Sequence, residues 1–156
     1  MADPAPPGSG RRLARSAELD ARAAAFIARR DFEPVTAWAL LLGILFAWAT
    51  LCLFTATRCW PAAPGSVPLV LFGSLAAGGC LFVADWGTQQ QVLGFRSLLI
   101  DRQWQVRAAV FSPSGVRGAA RSLGCTDRTF RRVCVGAAVL GVLAVAGSGL
   151  AHLILG

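Results

Sequence analysis

Lysine, asparagine and tyrosine are absent from this chain of 156 residues, and it has one histidine. Without asparagine, no N-glycosylation is available at any position. Without lysine, the basic charge rests entirely on fifteen arginines, set against eight acidic residues. The accompanying abundance of Ala, Gly, Pro and Arg is the bias of a GC-rich coding sequence. Arginine in place of lysine is therefore no argument for phosphate recognition, although a guanidinium would supply that geometry.

Cysteine is present but poorly arranged for chemistry. Cys52, Cys80 and Cys134 fall in apolar runs, Cys125 in a basic segment and Cys59 alone in a short turn, with no CxxC among them. That spacing suits neither a zinc site nor a same-side disulfide, so no metal or cofactor is expected. Cys134, beside Arg131 and Arg132 at a run's edge, is the candidate for S-acylation. No secretory signal is expected, because the first apolar run starts only near Val35 and is too long for one. Ala2 and the closing "LILG" likewise give no expectation of myristoylation or prenylation.

What is present is hydrophobicity. The chain is 55% hydrophobic with a mean hydropathy of +0.58, above the usual soluble range. Residues 34–57, 59–84 and 133–156 carry no charge over 24, 26 and 24 positions, and each run exceeds the roughly 20 residues that cross a bilayer as a helix. Pro61, Pro64 and Pro68 shorten the second run. The expected spans are thus 34–57, 67–85 and 133–156, joined by an outer turn at 58–66. Trp38, Trp60 and Trp86 stand near span ends as interfacial residues do, whereas Trp48 lies mid-span as packing or lipid contact.

Arginine placement orients the spans. Six precede residue 34, Arg58 alone lies in the turn, eight lie between 85 and 132, and none follows. The positive-inside rule then puts the N-terminus and the long connector on the cytosolic or matrix side, and the C-terminus opposite. An endomembrane such as the endoplasmic reticulum is the first expectation, with the mitochondrial inner membrane and plasma membrane as alternatives.

Residues 1–15 read as disordered. Residues 16–33 read as a juxtamembrane amphipathic helix, capped by Ser16, with Leu19, Ala23, Phe26 and Ile27 on one face and a Glu18–Arg22 pair. Its acidic residues argue against a mitochondrial presequence. The connector, 86–132, has two readings. Alternation of Trp104, Val106, Ala108 and Val110 suits a β-hairpin, while a surface helix would bring Arg96, Gln103 and Arg107 into its apolar face; the hairpin is preferred. Thr126 or Asp127 would cap the third span. The fold class is an all-α membrane protein with three transmembrane helices, a short amphipathic helix and a basic connector containing the hairpin.

No motif is specific enough to name a family or an activity. His152 falls on the opposite side from Asp85, Asp101 and Asp127, which excludes an acid–base pair within one chain, and no span carries a central charge. Small residues do recur at packing intervals: Ala39, Gly43 and Ala47; Gly73 and Ala77; then Ala137, Gly141, Ala144, Ser148 and Ala151. The expectation is a non-enzymatic accessory, assembly or scaffold component bound to other membrane proteins. Arg96, Arg107, Arg117 and Arg121, with Arg128, Arg131 and Arg132, would hold anionic lipid or an acidic partner. Nucleic acid is not expected, because these arginines lack interleaved aromatics, and no small-molecule substrate is indicated. The alternatives are an oligomeric channel or carrier, or an enzyme or enzyme regulator acting on lipid or acyl groups through Cys125, Cys134 or Asp85.

Overall fold

In hydrocarbon a charge-free segment must satisfy its backbone N–H and C=O groups internally, which a helix does. The computed structural model, which describes residues 9–59, 66–94 and 100–155, is built accordingly. Its elements are α1 Ser9–Arg29, α2 Pro34–Cys59, α3 Ser66–Leu93, α4 Ile100–Val110, α5 Pro113–Ser122 and α6 Asp127–Leu155. Pro34–Thr57, Val67–Leu93 and Asp127–Leu150 are each long and apolar enough to cross a membrane, which marks an integral membrane protein.

α2 and α3 pack antiparallel along a seam of small and hydroxylated residues. Thr36 meets Gly87, Gly43 meets Leu81, and Thr50 meets Gly73. A Cβ at Gly87 would lie 2.6 Å from Thr36 Oγ1, and one at Gly43 only 2.7 Å from Leu81 Cδ2. The missing Cβ atoms let the backbones approach, and close packing is the main attraction available between helices in lipid.

α6 runs parallel to α2, bordering Trp38 near its start and Thr55 near its far end. The two touch midway, where Trp48 Nε1 donates to the Ala137 carbonyl at 3.2 Å and Gly141 faces Trp48 and Cys52. α1, α4 and α5 gather at one end of the long helices, around a core that includes Phe26, Phe32, Leu40, Val92, Val106 and Val110. Phe26 and Phe32 meet edge to face, 5.2 Å between centroids.

The connector corrects the hairpin reading: no strand occurs among the described residues, and α4 and α5 occupy the region. Val106 and Val110, four apart, are both fully buried, whereas Trp104 is 63% exposed; this is helical periodicity. Arg107 does not spoil the face because Asp85 of α3 receives it. α3 continues to Leu93 because Gly87 packs on Thr36 and Gln89 reaches back to Asp85 at 3.0 Å. α1 starts at Ser9, so Ser16 lies inside the helix and does not cap it. α6 starts at Asp127, with Thr126 Oγ1 accepting from Thr129 N at 3.3 Å as the cap.

The α1–α2 joint is unusually tight. Arg30 ends α1 with φ 55, a left-handed conformation normally left to glycine, and Pro34 opens α2 at the position where its missing N–H costs nothing. Gly118 of α5 holds the joint: a Cβ there would lie 2.7 Å from Arg30 Cβ and 2.8 Å from Arg30 O. Nearby, Ser122 Oγ accepts from Phe32 N at 3.0 Å. Gly118→Ala should therefore cost about 1–3 kcal/mol through overpacking, lowering the thermal midpoint in detergent. Gly79→Ala, with nothing within 4 Å of its added carbon, should not lower it.

Candidate functional site

Two features stand out where the connector meets the long helices: a set of ion pairs and an apolar cleft. Asp85, toward the C-terminal end of α3, accepts from Arg107 Nε at 3.0 Å and from Gln89, while the Arg107 guanidinium lies 5.5 Å from the Trp104 ring centroid. This clamp fastens α4 to α3. Arg102 pairs with Asp20 at 2.8 Å, tying α4 to α1, and Arg121 pairs with Asp127 at 3.1 Å across the α5–α6 turn. Hydrogen bonding and charge from Asp127 raise the Arg121 pKa.

These pairs divide the arginines expected to bind a partner. Arg107 and Arg121 are engaged within the chain, and Arg96 lies outside the described residues. Arg117, Arg128, Arg131 and Arg132 are exposed and make no ion pair among the described residues. At roughly 100° per residue, Arg131 lies on the flank of the α6 face that carries Phe130 and Cys134, while Arg128 and Arg132 point away from it.

The cleft has a volume of about 580 Å3 and lies between α2 and α6, with α5 at its end. Trp38, Leu42 and Leu45 form one wall, Val133, Cys134 and Ala138 the other, and Val116, Ala120 and Leu123 the basic end. It arises because α6 touches α2 at the Trp48–Gly141 crossing and diverges on both sides; a smaller cleft of about 330 Å3 lies beyond the crossing. Sequence reasoning missed Trp48 as the crossing residue. Its signal was an indole N–H in mid-span, which in hydrocarbon requires an acceptor.

Among the expected packing residues, Gly43, Gly73 and Ala77 lie on α2 or α3, with Gly43 and Ala77 buried and Gly73 against Thr50; Ala39 is half-buried and Ala47 exposed. On α6, Ala137 and Gly141 face α2, Ser148 is half-buried and Ala144 is exposed, with Val145 taking the next inward step. The side chain of Ala151 lies outside the described set, as does that of His152. His152 nonetheless belongs to the last turn of α6, 25 residues and about 37 Å of helix from Asp127 at its start. Cys134 is exposed on the cleft wall, with Cys125 nearby, and no metal-binding group of His, Cys, Asp and Glu occurs among the described residues. No family model, curated protein or solved structure matches this chain.

The Asp85 clamp is only 18% exposed on its carboxylate side, in contrast to the Glu18–Arg22 pair at about 60% on both sides. Asp85→Asn should therefore destabilise the fold in detergent by about 1–3 kcal/mol, since it strands a partly buried guanidinium. Glu18→Gln should change it by less than about 1 kcal/mol. Thermal unfolding of the two variants side by side measures the difference.

Proposed function

We propose that this protein is a non-enzymatic accessory or scaffold subunit of a membrane complex, whose outward α6 face receives a partner's transmembrane helix. The observation that carries this reading is the uncovered state of α6. Its apolar window is 6% buried, against 17% for α2. Val135, Val139, Val142 and Leu150 lie along the side turned away from α2, all at least half exposed. By helical geometry, Arg128 and Arg132 cap that same side at its basic end.

The arginine asymmetry supports an orientation with α1, α4 and α5 in the cytosol or matrix and the C-terminus across the bilayer. In that orientation the free arginines meet anionic headgroups or an acidic juxtamembrane segment of the partner, each contributing on the order of 1 kcal/mol. Three apolar helices with no charge in the middle of a span favour a packing role over transport.

Purification from native membranes in mild detergent should return a stoichiometric membrane partner. The double variant Val139→Trp, Arg132→Glu should release it, and Leu75→Trp, on the exposed side of α3, should not. Recovery of the wild-type chain alone, by mass spectrometry and light scattering, would contradict the reading.

A further inference from the structure

We propose that the cleft between α2 and α6 holds an acyl chain of one anionic glycerophospholipid, with its phosphate between Arg117 and Arg131. The inference rests on the membrane orientation proposed above but not on the existence of a protein partner.

Lining argues for an acyl chain. The α2 wall runs from Trp38 to Trp48, about 15 Å of helix. The cleft offers about 580 Å3, within the range of single small-ligand sites. Its walls are aliphatic and aromatic, with no charged side chain among them. The lining is therefore matched to methylene groups, and it opens beside half-exposed Trp38 and Val133 toward the surrounding hydrocarbon.

Charge argues for an anionic headgroup. The end of the cleft is formed by Val116 and Ala120 of α5 and Phe130 of α6, and the residues following Val116 and Phe130 are Arg117 and Arg131. Both are exposed and make no ion pair among the described residues; Asp127 pairs with Arg121 and also feels the charge of Arg117. One residue of helix rotation places each at the flank of its lining face, at the end where α5 closes the cleft. Long arginine side chains at such a boundary reach toward the headgroup layer while their stems stay in apolar surroundings. Exposed cations beside the closed end of an apolar slot are complementary to a phosphodiester carrying an acyl tail.

The test uses the purified full chain in vesicles of phosphatidylcholine and phosphatidylglycerol in equal amounts, extracted into mild detergent and read by native mass spectrometry. One phosphatidylglycerol should remain bound in preference to phosphatidylcholine. Ala138→Trp, which fills the slot, should remove the retained lipid, and Leu75→Trp, away from it, should keep it. Arg117→Gln and Arg131→Gln should each reduce the phosphatidylglycerol preference about fivefold while a lipid of either kind is still retained. Because Ala138 is exposed, the filled variant should keep the thermal midpoint of the wild type, which separates loss of lipid from loss of fold. Equal retention of the two lipids by the wild type overturns the proposal. So does retention unaffected by Ala138→Trp, or a second copy of the chain in place of the lipid. A missing protein partner in native membranes would defeat the scaffold reading and leave these outcomes unchanged.

Discussion

Backbone contact between α2 and α3 is the constraint from which the remaining architecture follows. In lipid there is little hydrophobic gain in bringing two apolar helices together, so association depends on how closely they fit. Gly87, Gly43 and Gly73 provide that fit at three heights along the pair, against Thr36, Leu81 and Thr50. With this pair in place, α3 carries Asp85 to the point where α4 can engage it, and α2 presents Trp48 to α6. α1, α4 and α5 add a core around Phe26, Phe32 and Val106 that is shared with Leu40 of α2 and Val92 of α3.

Charge divides the molecule in a second way. Asp20, Asp85 and Asp127 each take one arginine from another helix. The pairs lock α4 to α1, α4 to α3 and the α5–α6 turn to itself. Among the described arginines outside these pairs, helix rotation separates Arg117 and Arg131, beside the lining faces of the cleft, from Arg128 and Arg132, along the outward side of α6.

The spans were legible in the sequence because crossing a bilayer depends on length and absence of charge, which need no tertiary information. The amphipathic face of α1 was legible for a similar reason: Ala23 and Phe26 are buried, Leu19 and Ile27 half-buried. The connector was not. Val106 and Val110 fit strand alternation as well as a helical step of four, and Arg107 counted against a helix only because its partner, 22 residues earlier on α3, was invisible to periodicity. Asp85 and Trp86 looked like the end of a span, but the carboxylate is paired with Arg107 and accepts from Gln89, and the helix continues. For the cleft, the small-residue stripe on α6 placed Ala137 and Gly141 on the contact side, but a single crossing point leaves Ala144 exposed and opens space on either side.

Disulfide trapping across the α2–α3 seam tests the central claim most directly. Thr36 Cβ and Thr50 Cβ lie 3.6 and 3.5 Å from the positions a Cβ would take at Gly87 and Gly73, at the near end of the separation a disulfide requires. In membranes, with the native cysteines replaced by alanine, the pairs Thr36→Cys with Gly87→Cys and Thr50→Cys with Gly73→Cys should oxidise to intramolecular bonds, while Thr36→Cys with Gly73→Cys should stay reduced. Bond formation in the mismatched pair, or in neither matched pair, would contradict the antiparallel seam and the arrangement built on it.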